Sequence, residues 1–286
     1  VTVVQDMVSS IDVAKKTVSL SRGGSIAYDK LVVSPGIDLM LGSIEGLAAA
    51  NASGQILHAW KAGAETLALR KQLEAMPDGG TFALTIPVAP YRCPPGPYER
   101  ASQIASYFKV AKPKSKILIL DGNADVTSKG PLFKKVWASQ YAGMIEYRGD
   151  HKATAVDAKT NTIKFEVQDD VKANVINALP NMRAGLIAVQ SGLSNMANGR
   201  WCGVNYQTFE STAAKDVHVL GDSIQIAPAM PKSGHMANAQ AKVAAAAIVA
   251  QLSGWDVNPN PMLTNTCYSM VDAKNCINGA SVHEYV

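Results

Sequence analysis

The chain has 286 residues, of which 47% are hydrophobic and 17% charged, with a net charge of +4. That length asks for about two hydrophobic cores, and no apolar run reaches the ~18 residues that a bilayer-crossing helix requires, which excludes a membrane span. Lysines such as Lys15, Lys16, Lys112, Lys114, Lys134 and Lys135 are scattered rather than striped with aromatics, so the mild positive charge gives no nucleic-acid surface. Residues 1 to 34 alternate strand and turn, with Val1 to Val8, Thr17 to Ser21 and Ser25 to Ser34 around a Gly23-Gly24 turn, and predict a small antiparallel meander. Its end, Tyr28-Asp29-Lys30-Leu31-Val32-Val33-Ser34-Pro35-Gly36, reads as a buried strand stopped by Pro-Gly. A helix is predicted over Ala62 to Met76, terminated by Asp78-Gly79-Gly80.

Strand 81 to 86, helix Tyr98 to Lys109 and strand Lys116 to Leu120 read as a right-handed parallel crossover, the mark of an α/β unit. A hairpin-like stretch from Lys152 to Val167 turns at Asn161, and Val171 to Ala178 predicts a buried strand ending at Pro180. Val217 to Leu220 is a short apolar strand running into Gly221-Asp222. Ser233 to Leu252 is an alanine-rich helix closed by Gly254. The last 30 residues look less regular, apart from a strand-like Ser281 to Val286.

The loop of the crossover is the most informative segment. A dinucleotide-binding crossover carries glycines that let a pyrophosphate approach a helix N-terminus. Here Pro90, Pro94, Pro95 and Pro97 stiffen the loop around Cys93, so it is built to present a sulfur and not to bind a phosphate. Asp121 stands where a ribose-binding acid would, but without the glycine-rich partner loop a turn aspartate before Gly122 is the simpler reading. Cys93, Cys202, Cys267 and Cys276 include no C-x-x-C and no histidine at zinc-ligand spacing, so no metal site is expected. Cys202 and Cys276 either pair with each other or remain buried thiols. The five histidines form no motif.

Several blocks together resemble the flavoprotein subunit of flavocytochrome c sulfide dehydrogenase, in the pyridine nucleotide-disulfide oxidoreductase superfamily. They are Tyr28-Asp29-x-Leu31-Val32-Val33-x-Pro35-Gly36, Tyr91-Arg92-Cys93-Pro94-Pro95-Gly96-Pro97-Tyr98-Glu99, Arg200-Trp201-Cys202, Thr208-Phe209-Glu210-Ser211, His218-Val219-x-Gly221-Asp222, Pro231-Lys232-Ser233 with Ala237-Asn238-x-Gln240-Ala241-Lys242, and Asn265-Thr266-Cys267-Tyr268-Ser269. The resemblance implies an α/β fold of two Rossmann-like, glutathione-reductase-type domains. Residues 1–75 and 181–255 would form a discontinuous FAD-binding domain, 76–180 an inserted NAD-domain-like unit without a glycine-rich loop, and 256–286 a small C-terminal segment bearing a redox cysteine. Family members begin with a glycine-rich FAD fingerprint and end in a tail with a tryptophan, neither of which is in this sequence. An internal piece of a longer polypeptide is therefore expected.

The same resemblance assigns roles. Cys93 and Cys267 would form a redox disulfide beside FAD, against the plainer alternative of a structural bridge or two separate thiols. Hydrosulfide would open it to a persulfide and a thiolate. Glu99 would exchange protons there, although a glutamate in a first helical turn also complements the helix dipole. Asp222 would accept hydrogen bonds from the ribityl chain, Gly221 would permit that approach, and Pro35 and Gly36 would touch the flavin through backbone alone. Ser233, opening a helix, and Lys232 would add positive character, a solvated lysine being the alternative for the second. Sulfide is the implied substrate and a c-type cytochrome subunit the implied partner. Haem would sit only on that partner, because no C-x-x-C-H occurs here. A periplasmic location is implied as well. The competing functions are a sulfide:quinone reductase, an NAD(P)H-dependent disulfide reductase and a non-catalytic binding subunit.

Overall fold

A computed structural model describes residues 1–285, so the end of the expected strand Ser281 to Val286 lies outside the described residues at Val286. The chain divides into two compact units. One comprises residues 1–38, 182–266 and 280–286, the other 39–181 and 267–279. The sequence reading set its boundaries at 75, 180 and 255.

The unit formed by 39–181 and 267–279 is built on a four-stranded parallel sheet in the order Val175–Ala178, Thr81–Ile86, Lys116–Asp121, Ile145–Arg148. Helix Gly96–Ala111 and helix Gly130–Gln140 make the two successive crossovers that parallel neighbours need. Phe82, Leu84, Ile117 and Ile119, together with Tyr98, Ala101, Ala105 and Phe108, are almost wholly excluded from solvent. The alternate residues Ala83, Leu120, Ile176 and Ala178 join a second cluster with Val156, Ile163, Phe165 and Val171. Those last four come from an antiparallel meander, Ala153–Asp157, Thr162–Phe165 and Val171–Lys172. Strands buried on both faces explain why the sheet reads as continuous apolar runs.

The other unit holds a three-stranded antiparallel meander, Val8–Asp12, Thr17–Leu20 and Ser25–Ala27. The expected first strand, Val1 to Val8, is instead displaced to Val8–Asp12, because the tight turn at Lys16 sets the register Asp12 opposite Thr17. Leu31–Val33 pairs in parallel with Val217–Val219. The helix Gly234–Ser253 is capped by Ser233, whose hydroxyl accepts the Met236 N–H at 3.1 Å, and ends at Gly254 in the left-handed region (φ +69°).

Two further regions differ from the sequence reading. Most of the C-terminal stretch is regular: Met262–Met270 and Cys276–Glu284 pair as nine-residue strands. The inward positions of the first include Asn265 and Ser269, both buried, so no apolar alternation betrays the strand. Helix Gly130–Gln140 and strand Ile145–Arg148 were not foreseen either, since Gly130-Pro131 looks like a turn, whereas proline in a first helical turn lacks only a donor that needs no partner.

Candidate functional site

In the unit with the parallel sheet, Thr81–Ile86 delivers the chain into the proline-stiffened loop, and Cys93 sits there with left-handed φ 59° and an exposed side chain. The Gly96 N–H donates to the Cys93 carbonyl at 2.8 Å. A Cβ on Gly96 would stand 2.7 Å from the Trp60 ring and 3.0 Å from Cys93 Sγ, so glycine is what lets the sulfur and the indole fold against the helix start. Trp60 donates its indole N–H to the Arg92 carbonyl at 3.3 Å, and Arg92 returns a hydrogen bond to the Trp60 carbonyl.

Cys267 comes from the strand Met262–Met270 and is half-buried. Lys129, the residue that caps helix Gly130–Gln140 with φ 57°, donates to the Cys267 carbonyl at 2.7 Å and to Ser269 Oγ at 2.9 Å. Its stem lies against Gly279, where a Cβ would be 3.2 Å from Lys129 Cε. Glu99 accepts the Met270 N–H at 2.7 Å, so the carboxylate holds the same strand three residues beyond the cysteine. Burial lowers the pKa of Lys129, and the neighbouring Cys267, Glu99, Cys93 and Cys276 oppose that drop. The fold thereby sets Lys129 and Glu99 on the strand that carries Cys267.

A second cation backs the loop. Arg100 is held by the carbonyls of His58 (3.0 Å) and Ala59 (2.6 Å) and by Asn177 Oδ1 (2.7 Å), and it lies over the Trp60 ring at 4.8 Å. Burial brings its pKa down to about 10, while Glu65 and Cys93 push it the other way. Behind the loop, Asp121 is wholly buried and takes hydrogen bonds from Tyr98 (2.6 Å), Tyr147 (3.1 Å), and both the backbone and the side chain of Asn123 (3.0 and 2.7 Å). A carboxylate engaged by four donors inside the core is a structural anchor and not a ribose ligand. Burial raises its pKa, and the hydrogen bonds oppose that rise. Tyr98 and Tyr91, both buried, pack the loop; Tyr91 shares a hydrogen bond with Thr127 at 2.7 Å.

The remaining predicted residues gather in the other unit. The parallel strands Leu31–Val33 and Val217–Val219 run in register, and their carboxyl ends lead to Pro35-Gly36 and to Gly221-Asp222. This is where ligands approach α/β sheets. Gly36 (φ +71°) has nothing within 4 Å of the place a Cβ would occupy, and its carbonyl accepts Gly185 N–H at 2.9 Å and the Ser223 hydroxyl. Gly221 (φ +76°) donates to Gln240 Oε1 at 2.7 Å. Pro35 packs against Gly185, and Ser233 both caps its helix and donates to Asn265 at 2.6 Å.

Lys232 is not the solvated lysine that was the alternative: it is 2% exposed. Its ammonium donates to the carbonyls of Asp222 (2.8 Å) and Ile224 (2.6 Å) and lies 3.6 Å from the Trp201 ring centroid. Burial lowers its pKa to about 7. Cys202 is a buried thiol pushed up to about 12 by the same desolvation, whereas Cys276 is an exposed thiol. The alternatives left open for these two thus resolve into two separate thiols, only one of them buried.

An open-faced glycine at one strand end, a left-handed glycine before an aspartate at the next, and a capped 20-residue helix behind them fit the close backbone approach of a flavin ring and ribityl chain. Among the described residues no group of three or more His, Cys, Asp or Glu could hold a metal ion, and no helix is long and apolar enough to cross a membrane.

Residues 66–180 match the family described as the central part of the sulfide dehydrogenase [flavocytochrome c] flavoprotein chain. That stretch, fewer than half of the 286 residues, is similar to the central domain of that flavoprotein chain. The match covers Cys93, Glu99, Arg100, Asp121 and Lys129 but not Cys267. The α/β fold is that of the glutathione-reductase-type flavoproteins over nearly the whole chain. The sulfide:quinone oxidoreductase of Aquifex aeolicus superposes with a TM-score of 0.74 at 18% identity over 97% of this chain and 70% of that one. A chain in the mitochondrial ATP synthase of Tetrahymena thermophila gives 0.72 at 17% identity over 99% and 70%. Reduced Bacillus anthracis CoADR-RHD gives 0.58 at 14% identity over 91% and 47%. At such identities these likenesses speak for the fold alone, and function has to be argued from the site.

Lys129, Arg100 and Trp60 were not identified from the sequence. Only the Gly130-Pro131 helix start beside Lys129 offered a signal, and it marks an element rather than a role.

Proposed function

We propose that the protein is the FAD-dependent, sulfide-oxidising flavoprotein of a periplasmic flavocytochrome c, with Cys93 and Cys267 as its redox pair and a c-type cytochrome subunit as electron acceptor. The observation that carries this reading is that Lys129 and Glu99 both bind the strand of Cys267, at the Cys267 carbonyl and the Met270 N–H, while Glu99 stands in the first turn of the helix that follows the Cys93 loop. Cys93 is exposed and Cys267 half-buried, so in the proposed pair Cys93 would be the sulfur that substrate reaches first. Hydrosulfide attacks Cys93 Sγ, the bond to Cys267 breaks, and its electron pair leaves on Cys267 as a thiolate. Cys93 then carries a persulfide. Arg100 adds positive field at Cys93, which favours an anionic nucleophile arriving there. Glu99, which also holds the strand of Cys267 through the Met270 N–H, would take or return the proton of the incoming sulfide. When bound, FAD would take up the electron pair and release it singly, held by backbone at Pro35, Gly36 and Gly221, by Asp222 as acceptor for its ribityl chain and by the N-terminal end of the helix that Ser233 caps. Lys232 supports that end through the carbonyls of Asp222 and Ile224.

The cysteine loop, where an NAD(P)H-dependent reductase would carry glycines, supports sulfide over a nicotinamide as electron donor. The test is an anaerobic sulfide titration of the intact protein followed by its visible spectrum. The wild type should lose its flavin absorbance and then pass electrons to cytochrome c faster than to a quinone. Cys93→Ser and Cys267→Ser should keep the colour and lose sulfide-driven bleaching by about a hundredfold or more. A wild type that sulfide does not bleach would overturn the reading.

A further inference from the structure

We propose that Lys129 is the positioning residue of the cysteine pair: it fixes the strand of Cys267 and stabilises the thiolate that Cys267 becomes when the pair opens. This inference rests on the sulfide-oxidising reading for its catalytic consequence, but its geometry stands independently.

Lys129 is engaged at three points on the hairpin formed by Met262–Met270 and Cys276–Glu284. Its ammonium donates to the Cys267 carbonyl and to the buried Ser269 hydroxyl, and its stem crosses the bare Cα of Gly279. Its backbone has left-handed φ 57° at the start of helix Gly130–Gln140, a conformation that costs a non-glycine residue free energy and that persists where surrounding structure enforces it. Two hydrogen bonds leave the ammonium one further donor. The groups that face it are Cys267 and Cys276 from the hairpin, Cys93 from the proline loop and Glu99 from helix Gly96–Ala111. Glu99 repels a thiolate, and Lys129 opposes that repulsion. Arg100 contributes from the Cys93 side.

The step this assists conserves atoms and electrons. HS⁻ and the Cys93–Cys267 bond give Cys93–S–SH and Cys267–S⁻; one S–S bond forms and one breaks, and the proton stays on the terminal sulfur. A leaving thiolate of lower pKa leaves faster. A neighbouring ammonium lowers a thiol's pKa because the charged form gains the attraction.

The test uses the intact protein, reduced with dithiothreitol, alkylated with iodoacetamide across pH 5 to 10, and read by mass spectrometry on the peptides bearing Cys93 and Cys267. Lys129→Met should move the Cys267 alkylation profile to higher pH and slow the reaction about tenfold near neutrality, whereas Lys129→Arg should restore the wild-type profile. If Lys129→Met leaves the profile unchanged, or if Lys129→Arg fails to restore it, the proposal is overturned. Should Lys129→Met not fold, Lys129→Gln serves instead, since it removes the charge while keeping a hydrogen-bond donor on a polar side chain. A smaller shift in the same direction supports the proposal and an unchanged profile overturns it. Sulfide-driven bleaching measured on the same samples separates the two readings: a wild type that does not bleach while Lys129→Met still shifts the profile removes the function and leaves the role of Lys129 standing.

Discussion

Lys232 shows how much a single side chain can be altered by its surroundings. Its ammonium is shut away with two carbonyls and an indole ring, and its pKa falls from 10.5 to about 7 because burial penalises the charge. Between those two values the unfolded chain binds the proton that the folded chain releases, so stability contributed at this site rises with pH from about 7 upward, by as much as ~1.4 kcal/mol per pH unit. Lys232→Met removes that slope. Urea unfolding at pH 7 and at pH 8.5 should show the wild type gaining roughly 1–2 kcal/mol relative to the variant over the interval; parallel behaviour of the two proteins would show that the lysine is not buried as described. The sequence offered this residue only as a charge near a cofactor, because nothing in Pro231-Lys232-Ser233 reveals that Trp201 roofs it.

At the scale of elements, the proline loop and helix Gly96–Ala111 hold their place through the buried carboxylate of Asp121. Tyr98 and Tyr147 both point their hydroxyls at Oδ2, and Asn123 takes Oδ1. Asp121→Asn turns one of the two acceptor oxygens into a donor in a core where Tyr98, Tyr147 and Asn123 all donate, leaving at least one of those donors without its acceptor whichever way the amide turns. The expected loss is about 1–3 kcal/mol in a denaturant titration, and a loss within error of zero would mean that the network is not closed. That helix was readable from the sequence to within two residues at each end, because its apolar stripe and its proline start are local signals. The hairpin that carries Cys267 was not. Asn265 and Ser269 face inward on it, and the periodicity that reveals strands depends on inward residues being apolar.

For the molecule as a whole, each compact unit is assembled from separate stretches of chain, and the predicted residues fall into two groups accordingly. Cys93, Glu99 and Cys267 belong to one unit, and Pro35, Gly36, Gly221, Asp222, Lys232 and Ser233 to the other. Their substitutions should therefore give separable phenotypes. Gly221→Val puts a branched side chain at φ +76°, where even a Cβ would be 3.2 Å from Ser34 Oγ. It should reduce the amount of flavin that copurifies while leaving the iodoacetamide reactivity of Cys93 and Cys267 unchanged, and a Gly221→Val protein with full flavin content would argue against this strand end as a cofactor site.

The sequence by itself determined the α/β class, the crossover around Cys93, the strand-to-glycine ends at Gly36 and Gly221, and the capped helix after Lys232. All of these rest on interactions between residues a few positions apart, which periodicity and turn chemistry record directly. Only the tertiary structure decided that Lys129 and Glu99 both bind the strand of Cys267, that Asp121 is an anchor and that Lys232 is buried. Those outcomes depend on which distant segments come within a few ångströms of each other. Coulomb attraction, desolvation and hydrogen bonding act through that distance in space, and a linear sequence carries no direct measure of it.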